Sequence, residues 1–341
     1  MKLRELITLA IIIIVIINSC KDNGTGPDTL EPGRRDYTWT VDTLKLLNGE
    51  FMSLYGIWGS EPNDVWACGS GSSNQYRLWH YDGIAWRNID VGFPILDATK
   101  IYGFNKNNIW MVTATGTIAY YNGTSWKSIG NFSTQKEWLV LQGIWGKNTN
   151  DLYAFGFLDK KDLSGYTGCI LRYDGRNWNY LEIEKLSLNF VTMGYDEETE
   201  KYFLSAFRSE DGMQFIFELN DNKLTKLYES NEGTKIFTMD NNIYFKIGRK
   251  IYKYSIKDGL YVWKDFTTDP IFSIVLNGRN EKDIFVSDFN NVSHFNGEGI
   301  KTLIQTDFWF NEALLFENEI FIPAKNNQTG INAVIHGKLS N

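Results

Sequence analysis

Short apolar runs separated by clusters of Gly, Asn and Asp recur along this chain at a nearly constant interval. The stretches LYGIWGSEPNDVWACG (54–69), IYGFNKNNIWMVTATG (101–116) and LQGIWGKNTNDLYAFG (141–156) share one pattern. Each has an apolar strand, a short polar turn ending in Asn or Asp, and a second apolar strand. A third strand and a tight turn follow, in RLWHYDGIAW, TIAYYNGTSW and ILRYDGRNW. Asp-Gly and Asn-Gly between alternating strands are strong hairpin signals, because both central residues of a type I′ turn take positive φ.

Measured from the start of the second strand, the repeat is anchored at Asp64, Asn108, Asp151, Lys201, Asn242, Asp283 and Glu319, with spacings of 44, 43, 50, 41, 41 and 36 residues. Units of about forty residues with four short strands are the period of propeller blades. The later units are degenerate, but turns persist at Asn220-Asp221, Asp258-Gly259 and Asn296-Gly297. The pattern predicts an all-β chain: one seven-bladed β-propeller of four-stranded antiparallel blades over residues 36–341. The last unit runs out at AVIHGKLSN after a third strand, whereas an orphan strand starts at Asp36-Tyr37-Thr38-Trp39 before the first. This N-terminal strand, about 37–46, is therefore expected to complete the last blade and close the ring, which removes the free edges of an open stack.

The repeat also accounts for much of the aromatic content. Trp86, Trp126 and Trp178 each sit three residues after a turn glycine, and Trp263 sits four after Gly259. Faces of packed blades bury their inner strands on both sides, so such tryptophans read as core. Cys68 and Cys169 fall on strands of non-adjacent blades, too far apart for a disulfide, and are expected as free buried thiols. Neither sits in a CxxC or Cys/His pattern.

The first 35 residues are of another kind. Lys2 and Arg4 precede a twelve-residue apolar run, Leu6 to Ile17, and Asn18-Ser19-Cys20 closes it. That run is short for a permanent span and fits a secretory signal, residues 1–19. Ile17-Asn18-Ser19-Cys20 resembles a bacterial lipobox, which implies cleavage before Cys20 and a lipid on its sulfur. The stretch KDNGTGPDTLEPGRR (21–35) has almost no apolar residue, so residues 20–35 read as a lipidated cysteine and flexible tether. Lys21-Asp22 is similar to the start of export signals on surface lipoproteins of Bacteroidetes-type bacteria. The implied address is the bacterial cell envelope, lipid-anchored, on an outer-membrane, periplasmic or surface-exposed face.

Charge narrows the partners. The formal net charge is -7, and removal of residues 1–19 leaves the mature chain at -8. No basic field exists to attract nucleic acid, and the membrane would be held by lipid rather than by charge.

Over nearly the whole mature chain the repeat resembles one found in many secreted and lipid-anchored bacterial propellers, with a consensus near G-I-W-G-x3-N-D-V-W-A-x-G followed by Y-D-G-x-x-W. The first three blades match it closely, and the last four by period and turn. Most members of that family have no assigned chemistry, so the resemblance implies fold and location. Kelch Gly-Gly pairs and terminal WD dipeptides are missing, and YDGIAW differs from the sialidase Asp-box S-x-D-x-G-x-T-W in lacking a residue between Asp and Gly.

Candidate chemistry is sparse. Asp64, Asp151 and Asp283 could be drawn into a glycosidase pair of carboxylates. They share one turn slot, however, and read as turn formers. The ten arginines show no recurrent placement of the kind a sialidase needs. His80, His294 and His336 fall at one position of the third strand, where packed side chains would separate them, so metal ligation is not expected. No GxSxG, HExxH, P-loop or GxGxxG context occurs. No catalytic residue, cofactor or metal is assigned.

Aromatics outside the repeat positions remain: Phe93, Trp138, Trp309 and Phe310, in connections from a fourth strand to the next first strand. In propellers these loops gather on one face around the channel, where Trp suits sugar stacking or anchoring of a protein. They are either a ligand face or plugs of the blade tops. The expectation is a monomeric, non-catalytic binding module for an envelope protein or glycan. The alternatives are a carbohydrate-active enzyme of glycoside hydrolase or lyase type and a lectin-like glycan binder.

Overall fold

The computed structural model describes residues 33–47, 50–73, 76–310 and 312–340. Residues 1–19 and Cys20, read above as a signal and a lipid site, and the expected tether up to residue 32 lie outside the described residues. Strand β1 (Tyr37–Thr43) comes first. Blade 1 holds β2 (Met52–Glu61), β3 (Asp64–Gly71), β4 (Leu78–Tyr81) and β5 (Trp86–Asn88). Blade 2 holds β6 (Ala98–Asn105), β7 (Asn108–Thr113), β8 (Thr117–Tyr121) and β9 (Trp126–Asn131). Blade 3 is β10 (Glu137–Asn148), β11 (Asp151–Lys160), β12 (Tyr166–Tyr173) and β13 (Trp178–Tyr180).

Blade 4 is β14 (Asn189–Asp196), β15 (Lys201–Phe207), β16 (Gln214–Asn220) and β17 (Lys223–Ser230). Blade 5 is β18 (Thr234–Met239), β19 (Asn242–Ile247), β20 (Lys250–Ser255) and β21 (Gly259–Asp265). Blade 6 is β22 (Ile274–Asn280), β23 (Asp283–Ser287), β24 (Asn291–Phe295) and β25 (Ile300–Gln305). Blade 7 is β26 (Leu314–Leu315), β27 (Glu319–Lys325), β28 (Asn332–Leu339) and, on its outer edge, β1.

All seven anchors begin a second strand, and every blade, including the degenerate ones, keeps four strands. Each inner strand touches the next, and β2 also touches β26 and β27, so the ring is closed. The closing strand is a little shorter than the pattern suggests: after Thr43 the chain turns inward to bury Leu44 against Met52 and Ile57. Second strands such as β7 and β23 are buried nearly end to end because blades cover both their faces, whereas outer strands such as β9 are largely exposed. Inner strands carry a one-residue bulge at Tyr55, Thr99, Gln142, Val191 and Leu276, which bends them along the channel wall.

The blade interfaces are aromatic. Trp126 lies edge-on to Trp66 of the preceding blade at 5.7 Å, and Trp178 repeats this with Trp110 at 5.6 Å. These are favourable edge-to-face contacts between rings that are almost wholly buried. Cys68 and Cys169 are free and buried, and burial pushes both thiols up.

The hairpins differ in one respect from the expected type I′ form. In the Asp82, Asn122, Asp174 and Asn296 turns only the glycine has positive φ, as at Gly83, Gly123, Gly175 and Gly297. The Asp or Asn instead accepts two following backbone N–H groups on its side-chain oxygen, as Asp82 Oδ1 does from Ile84 and Ala85 at 3.0 and 2.9 Å. The longer loop makes room for this local bond, which competes with the two-residue turn. A turn with positive φ at both central residues occurs at Asp240-Asn241.

Candidate functional site

Because every strand reverses the last, the propeller has two unlike ends. Connections from first to second and from third to fourth strands lie on a turn face. Those from second to third strands, and from a fourth strand to the next blade, lie together on a loop face. The longest connections, among them 89–97, 181–188, 266–273 and 306–313, belong to the loop face. Loops held by a rigid scaffold are where binding residues concentrate.

The four predicted aromatics separate into two kinds. Phe93 is half-buried against the core shared by blades 1 and 2, and Phe310 is buried between blades 6 and 7, so both plug blade tops. Trp309 is 54% exposed and Trp138 is 48% exposed. Trp138 is not in a loop; it stands near the start of β10, opposite Asp159, with the Lys161 ammonium 5.8 Å from its ring centre.

Exposed Leu47, Phe51, Leu96, Leu163, Phe289 and Ile331 join them on the loop face. Leu163, Phe289 and Ile331 lie between second and third strands, outside the between-blade connections in which aromatics were sought, whereas Leu47, Phe51 and Leu96 lie within those connections and were passed over. An apolar residue among polar ones, as in Ser287-Asp288-Phe289-Asn290-Asn291, was the available signal.

Part of this set is physically continuous. The Phe289 ring meets Trp309 at 5.7 Å, and Trp309 pairs through both backbone groups with Lys325. Lys325 Nζ then donates to Ser53 Oγ at 2.6 Å, two residues from Phe51, whose N–H donates to Ser72. This row runs across blades 6, 7 and 1. Phe289 has a φ of 106°, a strained conformation for a residue with a side chain, and it holds the ring 55% exposed. Strain that exposes an aromatic points toward binding. A shallow cleft of about 730 Å³ lies elsewhere on the face, lined by Thr134, Gln135, Lys136, Glu137, Lys160, Lys161 and Asp162.

The channel wall carries charge. Lys100 of β6 pairs with Glu312, which also accepts the Ile57 N–H at 3.1 Å. Lys235 of β18 donates to the Val275 and Leu276 carbonyls of the next blade at 2.8 and 3.0 Å. Burial, against the opposing pull of Glu312, pushes its ammonium down to about 8. The unfolded chain then binds more protons between that value and about 10.4, so stability rises with pH across this window and the penalty is complete below it. Lys235→Met is therefore expected to gain about 1–2 kcal/mol in urea unfolding at pH 7 and little above pH 10.5. An equal gain at both pH values would show that desolvation of the ammonium is not the cause.

The recurrent acids and histidines have a common explanation that is not turn formation. His80 Nε2 meets Asp64 at 2.7 Å, His294 Nε2 meets Asp283 at 2.8 Å, and His336 Nε2 meets Glu319 at 2.7 Å. In blade 3 Arg172 takes the histidine's place on Asp151 at 2.8 Å, and in blade 4 the signs reverse as Lys201 pairs with Glu218 at 2.7 Å. Each pair links the start of a second strand to the third strand of its own blade. Among the described residues, no three of His, Cys, Asp or Glu come together as a metal-binding cluster.

No protein-family model matches the chain, and no curated protein matches it. Among solved structures, "YCF48 bound to D1 peptide" is similar at TM-score 0.64 and 14% identity, over 91% of this chain and 100% of that one. YCF48 from Cyanidioschyzon merolae is similar at TM-score 0.60 and 12% identity, over 87% of this chain and 98% of that one. At these identities the likeness is one of fold.

Proposed function

We propose that this chain is a lipid-anchored protein of the bacterial cell envelope whose propeller binds a protein segment along its loop face, without catalysis. The observation that carries this reading is the exposed Phe289–Trp309 ring pair, with Phe289 held at positive φ, which continues through the backbone of Lys325 and its hydrogen bond to Ser53 toward exposed Phe51. Exposed aromatic anchors of this kind dominate binding at protein interfaces. A protein of similar fold, YCF48, has been solved with a D1 peptide bound. The protein acts as a monomer in this reading.

Peptides selected from a displayed library on the immobilised protein are expected to lose at least about tenfold in affinity on Trp309→Ser with Phe289→Ser. Ile84→Ser, on the turn face, should leave them unchanged. Equal binding by all three proteins would sink the reading. In cells, Cys20→Ala is expected to abolish acyl labelling, and persistent labelling would refute the anchor.

A second reading, glycan binding, is favoured by one place only. Trp138 stands beside the cleft lined by Gln135, Glu137 and Lys161, an aromatic face with polar groups around it. Binding on a glycan array that is lost with Trp138→Ala would select it, and release of product from the glycan would turn it into an enzyme.

A further inference from the structure

Blade 5 carries three cations in a row at the channel mouth. Lys235 and Lys246 are directly opposite each other on β18 and β19, so their side chains project from the same face of the blade. Like charges in that relation repel, and both ammonium groups are pushed down, by burial first. Among the described residues Lys246 makes one long bond, to the Gly233 carbonyl at 3.5 Å. Arg249 follows in the turn between β19 and β20, within electrostatic range of Lys246. The nearby acid, Glu232, is exposed, with its carboxyl group against Gly248. Lys250 is already matched by Asp265 at 3.1 Å.

Arg249 supplies the independent sign of a ligand. Its Nε and Nη2 are buried, and among the described residues neither has a hydrogen-bond partner. These two nitrogens form one edge of the guanidinium, the fork that matches a carboxylate with two parallel bonds. Among the described residues the same edge is filled by a carboxylate at two other arginines. Arg34 uses it on Asp36, and Arg208 uses it on Asp211, with Nε at 3.0 Å and Nη2 at 2.7 Å. At Arg249 the edge is built but has no acid. Orphaned charged donors and an opposed lysine pair each cost stability, and an anion from outside would offset both.

We propose that Arg249 and Lys246, beside the already bonded Lys235, form a carboxylate-binding site at the blade 5 edge of the channel mouth, which fixes an acidic group of the segment bound on the loop face. The second half rests on the reading above; the site itself does not. Since the Arg249 edge is buried, a local opening must admit the ligand, and Glu232, the nearby acid, competes with it.

Acetate is the probe, with the full chain and sodium chloride at equal ionic strength as the reference. At 100 mM it is expected to shift the Arg249 Nε–H resonance and to raise the melting temperature by about 2 °C or more. Arg249→Gln should abolish both effects. Arg249→Lys, which keeps the charge and loses the fork, should weaken binding several-fold. Glu232→Gln should lower the acetate concentration needed for half the shift. No shift in the resonance overturns the site, and phosphate acting as strongly as acetate overturns its assignment to carboxylates. Peptides selected on the loop face should carry Asp or Glu, a preference that Arg249→Gln removes. Peptides without that preference would break the link to the bound segment. No selected peptides at all would instead overturn the loop-face reading, with the acetate result still deciding the site.

Discussion

Deletion of residues 35–43 is expected to abolish the single cooperative unfolding transition of the propeller and to drive the protein to aggregate. Strand β1 pairs with β28 in unbroken register from Tyr37 opposite Leu339 to Thr43 opposite Ala333. Its side chains reach beyond that ladder. Tyr37 meets Phe285 of blade 6 edge-on at 5.6 Å and accepts a hydrogen bond from Arg279 at 3.1 Å. Trp39 lies over Gly337, where an added Cβ would come within 2.6 Å of the ring. Arg35 donates to His294, through Nε to Nδ1 at 3.3 Å and through Nη2 to the carbonyl at 2.8 Å.

Loss of one large buried aromatic costs about 3–5 kcal/mol, and a whole domain is stable by only about 5–15 kcal/mol. The deletion removes two partly buried aromatics together with a ladder, and it leaves β28 as an open edge able to pair with another chain. Circular dichroism melting and gel filtration check the outcome, and addition of a peptide of residues 33–43 should restore the monomer. A sharp, unshifted transition in the deleted protein would contradict ring closure. Gly337→Leu is a milder form of the same test, since it displaces Trp39 without removing backbone pairing.

The fold was legible because its signals are local and repeated. A residue at the start of a buried strand, followed by apolar positions, is readable from order alone, and Asp64 through Glu319 each begin such a strand. What order does not contain is the partner of a polar group. Asp82 and Asn296 were read as turn residues with positive φ, but their side chains bond backbone two and three residues ahead and leave positive φ to glycine. Asp64 and Asp283 were also read as turn formers, because their histidines lie sixteen and eleven residues away on another strand.

The site was less legible still. Phe93 and Trp309 occupy similar loops, yet one ring turns into the core and the other toward solvent, a choice set by neighbouring blades rather than by sequence spacing. Phe289 and Arg249 gave no repeating signal, since both stand in connections whose lengths differ from blade to blade.

The second large effect concerns Asp283, for which substitution by Ala is expected to cost about 3–5 kcal/mol at neutral pH. Its carboxylate accepts from His294 Nε2 and from Arg279 Nη1, each at 2.8 Å. His294 is fully buried, and its Nδ1 accepts from Arg35, so the proton on Nε2 is committed to Asp283. Arg279 in turn bonds the Phe316 carbonyl and the Tyr37 hydroxyl, which ties blade 6 to blade 7 and to the closing strand. Without the carboxylate, a buried N–H loses its acceptor and a largely buried guanidinium loses its counter-ion.

The pH dependence follows from the same contacts. Burial alone would raise the Asp283 pKa, but the bonds from His294 and Arg279 outweigh it and hold the carboxyl below its usual range. The unfolded chain, with an ordinary value of about 3.9, therefore binds more protons in the interval below that value. The contribution is complete above this interval and is lost as the pH falls through the depressed folded value. The difference between Asp283→Ala and the unaltered protein in urea unfolding should accordingly be large at pH 7 and narrow at pH 3. Asp64→Ala removes the matching group from a more exposed pair with His80, and about 1–2 kcal/mol is expected there. Equal losses at the two sites, or a difference for Asp283 that does not narrow on acidification, would mean that the acid–histidine pairs do not carry the stability assigned to them.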